Sequence, residues 1–174
     1  VGDGAGEMGD ALAAVELGTG RTAVSVEGGG QHTCAVLDDA TLKCWGKGDY
    51  GQLGIGSTSN VGDGAGEMGD ALVPVELGTG RTAVSVSAGY RHTCAVLDDA
   101  TIKCWGKCQY GELGTGSTSN VGGDPGEMGD NLAVVELGTG RTVVSVSAGE
   151  HHTCAVLDDA TIRCWGLGAY GGLG

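Results

Sequence analysis

The chain has 174 residues and a formal net charge of −13, enough length for one ordinary domain and the wrong charge for nucleic acid or anionic membrane surfaces. No apolar run approaches the roughly 18 residues of a membrane span. Glycine reaches 37 residues while proline is limited to Pro74 and Pro125 and Phe is absent, a balance that indicates many tight turns rather than a collagen-like chain.

The chain reads as three copies of one unit, residues 1–60, 61–120 and a shorter 121–174, with Trp45, Trp105 and Trp165 each 60 residues apart. In the second copy the first part is the glycine-rich acidic loop Val61–Asp70, expected to be exposed and irregular. Ala71–Leu77 follows as a short strand, and Pro74 makes it an edge strand or a strand start because proline cannot donate to a ladder. Gly78–Gly80 is a turn. Ala83–Ser87 alternates apolar and polar residues, the pattern of a half-buried strand. Ala88–Arg91 connects to the stretch His92–Trp105, which is followed by Tyr110–Gly114 and the linker Thr115–Asn120. About four strands per copy and no helical period make this an all-β chain of β-propeller blades.

His92–Trp105, HTCAVLDDATIKCW, recurs at His32–Trp45 and His152–Trp165. Its two runs are rich in residues that fit a pleated, half-buried surface, and they flank the polar turn Asp98-Asp99-Ala100. A three-residue loop there sets Leu97 opposite Thr101, Cys94 opposite Cys104 and Val96 opposite Ile102. Period-two alternation then keeps the last two pairs on one face. The register predicts disulfides Cys34–Cys44, Cys94–Cys104 and Cys154–Cys164. The alternative is three pairs of buried thiols. The seventh cysteine, Cys108, stands where the other copies have Gly48 and Gly168, and is read as unpaired, either a free thiol or a partner for another chain. This cysteine usage points to an oxidising compartment, outside the cell or on its surface.

The pattern V-S-V-S-A-G-x-x-H-T-C-A-V-L-D-D-x-T-x-K-C-W-G-x-x-x-Y-G-x-L-G resembles the repeat of the regulator of chromosome condensation family, over about half of each unit. The resemblance implies a propeller, usually of seven four-stranded blades, in which His32, His92 and His152 lie near the central axis and Trp45, Trp105 and Trp165 pack between blades. It also implies alternative roles known among members: exchange factor for a small GTPase, domain of a ubiquitin ligase, or enzyme inhibitor. The sequence departs from the family at Gly48, Cys108 and Gly168, where Asn is usual and a turn hydrogen bond is put in doubt. Its acidic loops look like insertions.

Three equally spaced histidines could bind zinc, but the reading taken is that each hydrogen-bonds to backbone near the channel and holds its blade's inner strand. Asp63, Glu67 and Asp70 are a weak calcium candidate, since calcium prefers six to eight oxygens; the other reading is a solvated acidic loop. Asp98-Asp99 and its copies read as turn residues. No catalytic set is recognised and no cofactor is assigned, so the chain is read as non-enzymatic. The copies differ most around Gln31, Tyr90, Arg91, Glu150 and His151, and again around Asp49 and Gln109. These strand-end positions are the candidate partner contacts. Three blades are too few for a ring, so the chain is expected either to be a segment of a longer propeller or to associate head to tail with copies of itself. The expected partner is protein.

Overall fold

The computed structural model describes all residues, Val1–Gly174. It contains nine strands: β1 (Ala23–Gly28), β2 (His32–Leu37), β3 (Leu42–Gly46), β4 (Ala83–Ala88), β5 (His92–Leu97), β6 (Ile102–Gly106), β7 (Val143–Ala148), β8 (His152–Leu157) and β9 (Ile162–Gly166). They form three antiparallel sheets in chain order, β1-β2-β3, β4-β5-β6 and β7-β8-β9. No helix is long and apolar enough to cross a membrane.

The hairpin register is Cys94 opposite Cys104 and Val96 opposite Ile102 in the second blade, with the same pairing in the other two. Leu97 N–H donates to the Thr101 carbonyl, and Lys107 N–H donates to the Arg91 carbonyl. Hydrogen-bonded and non-hydrogen-bonded pairs alternate along an antiparallel ladder, so Cys94–Cys104 is a non-hydrogen-bonded pair, the closer kind. All three cysteine pairs are disulfide-bonded, with Cα atoms 4.1 Å apart. The loop closes with Ala100 N–H on the Leu97 carbonyl, and Ala40, Ala100 and Ala160 are left-handed at φ 61°, 60° and 62°. Arg81 holds the loop from outside, 3.2 Å from Asp98 and 3.1 Å from Asp99.

In the second blade the run HTCAVL is buried on both faces, with a neighbouring sheet on each. Cys94, Val96, Ile102, Cys104 and Leu113 of the second blade pack against Val135, Val143, Ala155 and Leu157. The opposite face, with Ala95, Leu97 and Trp105, packs against Cys34, Val36, Leu42 and Leu53 of the first. Alternation therefore sends successive residues of one strand into two different blade boundaries.

The fourth segment of the first two blades is not a continuous strand. Val61 pairs with Gly46 and Pro74 with Lys43, each as an isolated bridge, and Val121 and Val134 pair likewise with Gly106 and Lys103. The outer segment thus meets β3 or β6 at two points, while the acidic loop swings out between them. Proline is not the cause, since Val134 in Pro74's place also makes only a single bridge. A blade therefore takes its outer edge from the following repeat, and the structural unit is shifted from the 1–60, 61–120 and 121–174 division of the sequence.

The acidic loop is exposed but more ordered than its composition suggests. It ends in a short 3-10 turn, Gly69–Ala71. The Glu67 carboxylate accepts the Gly62 and Gly64 N–H groups at 2.8 Å each, and Asp70 accepts Thr19 N–H at 2.7 Å and its hydroxyl at 2.6 Å. Lys43, buried to 8 % exposure, donates to the carbonyls of Leu17 at 2.8 Å and Gly69 at 3.0 Å. Lys103 repeats this on Leu77 and Gly129.

Cys108 is fully buried in the second core cluster, and its thiol donates to the Ser117 carbonyl at 3.1 Å. Burial pushes the thiol's pKa up. Of the two fates left open by the sequence, pairing with another chain does not fit a sulfur enclosed in this way. The backbone N–H at 48 and 108 is held by the side chains of Asn60 and Asn120, at 3.2 and 3.0 Å, so the turn retains a hydrogen bond despite the residue change.

A left-handed alanine costs about 1–2 kcal/mol, and glycine gives back about 0.4–1 kcal/mol through the unfolded chain. Ala100→Gly is expected to stabilise the protein by about 0.5–1 kcal/mol in denaturant titration. An unchanged or lower midpoint would show that the turn carries no such strain.

Candidate binding face

Adjacent blades are joined by a relay of four groups. His32 Nε2 lies 2.7 Å from Thr93 Oγ1, Thr93 Oγ1 donates to the Gln52 carbonyl at 2.8 Å, and Trp105 Nε1 donates to the same carbonyl at 3.1 Å. The next boundary repeats it with His92, Thr153, Glu112 and Trp165, at 2.9, 2.9 and 2.8 Å. A carbonyl can only accept, so it takes the single hydroxyl hydrogen of the threonine. The histidine must then donate from Nε2, which fixes the neutral Nε2–H tautomer. Burial pushes both His32 and His92 down to about 4, so both rings are neutral near pH 7.

Nearer the axis the blades touch through backbone. Gly30 N–H donates to the Gly89 carbonyl and Tyr90 N–H to the Gly149 carbonyl, both at 3.1 Å. A Cβ on Gly29 would run into the Gly89 carbonyl and the His32 ring, and one on Gly89 into Gly149 and His92. Glycine is needed here for close approach, not for an unusual backbone angle. Around this line lies an open depression of about 430 Å³, lined by Gly28–Gly30, Ala88–Tyr90 and Ala148–Glu150.

On the loops beside it, cationic and aromatic side chains gather across the three blades. Lys107 Nζ is 5.3 Å from the centre of the Tyr50 ring. The Arg91 guanidinium is 5.0 Å from both the Tyr50 and the Tyr90 rings, and donates to the Tyr50 hydroxyl at 3.0 Å. Tyr90 stands edge-on to His151 at 6.5 Å, and Tyr110 meets the same ring at 5.3 Å. His151 also lies 3.5 Å from the Glu150 carboxylate. Each cation–aromatic contact is worth about 0.5–1 kcal/mol at an exposed site. At both blade boundaries the tyrosine of W-G-x-x-x-Y in one blade meets the residue just before histidine in the next, Tyr50 with Arg91 and Tyr110 with His151.

Tyr90, Arg91, Glu150 and His151 are thus brought together. Asp49 sits nearby on an ion pair with Lys47 at 3.0 Å. Gln31 is exposed, with its carbonyl on Lys47 N–H, and Gln109 is exposed beside Tyr110. Sequence reasoning missed Tyr50, Tyr110 and Lys107. The tyrosine recurs in every copy, but only the 41-residue offset between contacting positions, 50 to 91 and 110 to 151, would have revealed its partner.

The acidic loop does not gather its carboxylates. Glu67 faces its own backbone, Asp70 faces Thr19, and Asp63 lies 3.3 Å from the Asn60 amide. No three His, Cys, Asp or Glu side chains stand close enough to share a metal ion.

Two family models for the regulator of chromosome condensation (RCC1) repeat match the chain, one over residues 42–96 and 104–156 and the other over 23–52, 83–112 and 143–171. The chain belongs to the RCC1 repeat family. It is 31% identical over 158 residues to the ultraviolet-B receptor UVR8 of Arabidopsis thaliana, a match that covers 89% of this chain and 32% of that receptor. Its fold is similar to that of yeast RCC1 (Prp20), solved bound to Kap60, with TM-score 0.61 and 22% identity over 84% of this chain and 32% of that one. It is also similar to the ectodomain of the Physcomitrella patens receptor kinase CR4, with TM-score 0.53 and 18% identity over 88% and 33% of the respective chains. The chain spans about a third of the length of each of these relatives. Against this family, the three sheets are RCC1-type propeller blades.

The buried histidines set a pH dependence. Each has a folded-state value of about 4 against roughly 6.5 unfolded. Between those values the unfolded chain takes up protons that the folded chain refuses, so stability rises with pH. The contribution is complete above about pH 6.5 and is lost as pH falls toward 4, with a slope of up to about 1.4 kcal/mol per pH unit per histidine. Asp70, Asp99, Asp130 and Asp159 are held below the usual carboxylate range, chiefly by threonine hydroxyls, so their loss comes at lower pH. Denaturant unfolding across pH 4.5–6.5 is expected to trace this slope, and His92→Gln to flatten it. A flat wild-type profile would contradict the assignment.

Proposed function

We propose that this chain is a non-enzymatic, protein-binding part of an extracellular or cell-surface propeller, and that it presents its partner with the cation–aromatic face built on Tyr50, Tyr90, Arg91, Lys107, Tyr110 and His151. The observation that carries this reading is the clustering of these rings and cations. Aromatic and arginine side chains are the groups that dominate protein interfaces, and here they line up across blade boundaries on loops that a rigid, disulfide-stapled scaffold holds in place. The groups that could suggest catalysis are occupied structurally: the buried histidines on threonines, the paired aspartates on arginine and threonine, the loop carboxylates on backbone N–H groups. The extracellular placement rests on the three disulfides and on the likeness to a receptor-kinase ectodomain. Partners fall into two kinds, a different protein at this face and further copies of the same repeat at the outward blade surfaces.

Thiol titration of protein purified without reductant is expected to find one thiol, Cys108, and only after denaturation. Seven thiols would remove the basis for the extracellular placement. For the face, a photo-reactive phenylalanine analogue replaces either Tyr110, 41% exposed, or Val84, 63% exposed and off the face. Exposed to surface proteins of the source cells, the first is expected to yield a discrete adduct that Arg91→Ala abolishes. Equal labelling from Val84, or labelling indifferent to Arg91, would refute the assignment of this face.

A further inference from the structure

Nine Lys and Arg side chains serve a chain of net charge −13, and most of them are already engaged. Arg21, Arg81 and Arg141 sit on hairpin aspartates at 2.7, 3.1 and 2.8 Å. Lys43 and Lys103 donate to carbonyls, and Arg163 stands in their place in the third repeat. Lys47 is paired with Asp49. Arg91 and Lys107 remain, and neither forms an ion pair with a carboxylate of this chain. Both lie against one ring, that of Tyr50, at 5.0 and 5.3 Å from its centre. An aromatic face attracts a cation but does not neutralise it, so positive potential collects at the boundary between the first two blades.

The next boundary supplies its own acid. There His151 takes the place of Arg91. The Glu112 carboxylate, 1% exposed, lies 3.8 Å from His151 Nδ1, and Glu150 lies 3.5 Å from Nε2. Leu167 holds the place of Lys107: its N–H donates to the His151 carbonyl as that of Lys107 donates to the Arg91 carbonyl. At the first boundary the copies of the two acids are Gln52 and Tyr90. Gln52 keeps the backbone contact, accepting Tyr50 N–H at 2.9 Å where Glu112 accepts Tyr110 N–H at 2.6 Å, but it offers an amide where Glu112 offers a carboxylate. Gln52 Nε2 and Arg91 Nε are buried donors without an acceptor. From this asymmetry we propose that the first boundary receives a carboxylate from outside: a protein partner sets an Asp or Glu side chain against Arg91 and Lys107, beside the rings of Tyr50 and Tyr90. This names the partner's chemistry for the face proposed above and rests on that reading. Arginine meets a carboxylate as a planar fork, and the rings suit an aromatic or aliphatic neighbour of the acid. The strongly negative charge of the whole chain repels extended polyanions, so a short acidic segment of a protein fits better than a sulfated polysaccharide.

Random peptides displayed on phage and selected on the oxidised 174-residue chain test it, with the recovered sequences resynthesised as amides and their affinities measured by fluorescence polarisation. The selected peptides are expected to carry Asp or Glu next to aromatic or aliphatic residues, and to bind more weakly as salt rises. Gln52→Glu gives Arg91 a carboxylate of its own, an arrangement that Glu112 shows to suit the fold, and is expected to weaken the peptides about tenfold or more. Arg91→Gln is expected to do the same. On the unaltered chain, Glu→Gln in the peptide should cause a similar loss, and should cause little further loss on the Gln52→Glu variant. A selection that yields no acidic peptides overturns the inference. Neutral peptides that depend on Arg91 would do so while leaving the face itself standing. Acidic peptides indifferent to both substitutions would remove the inference and the face together. Arg91-dependent capture of heparin in place of acidic peptides would also overturn it.

Discussion

The structure depends on a hydrogen-bond relay that crosses each blade boundary. A single threonine hydroxyl has one hydrogen and two lone pairs. Thr93 gives its hydrogen to the Gln52 carbonyl and accepts from His32, and so joins the middle strand of one blade to two parts of its neighbour. Trp105 fills the remaining space and uses the same carbonyl. Leaving any of these buried polar groups unpaired would cost about 1–3 kcal/mol. The relay also works only with a neutral histidine, because Nε2 is the donor and burial disfavours a charge. That coupling of tautomer, burial and packing explains why a chain of short strands and many glycines holds one arrangement.

The hairpin was the most legible part of the sequence. Its register followed from the facing cysteines, the β-branched residues and the polar turn, all local features, and the disulfide pairing followed from the register. The count of about four strands per copy, with no helical period, then pointed to the blade, and the family likeness agreed with it. The contacts between blades were not legible in detail, because they join residues 41, 53 or 61 positions apart, and no local periodicity encodes such offsets. The fourth strand was misread for a related reason. Ala71–Leu77 has strand-like composition, but its partner belongs to the preceding repeat, and the loop before it permits only two points of contact.

The acidic loop shows how composition can mislead about order. Glycine and carboxylates suggested a mobile, solvated stretch with a weak calcium option. In the fold, each carboxylate is spent on a different donor, and a buried lysine ties the loop to the turn of the repeat before it. The binding face is the opposite case. Arg91 and His151 stand out in the sequence because the copies differ there, and the structure gives them a chemistry, since they take the same place against Tyr50 and Tyr110 in successive blades. Variation at one position between constant tyrosines lets a repeated scaffold carry a face that is not itself repetitive.

The relay depends on the protonation of its histidines. Nitrogen NMR of ring-labelled protein reports tautomer and charge directly. At about pH 5, between the folded value near 4 and the unfolded value near 6.5, His32 and His92 should give the neutral Nε2–H pattern. His92 should lose its Nε2–H signature when Thr153 is replaced by valine. Imidazolium signals, or a neutral ring protonated on Nδ1, would contradict the relay.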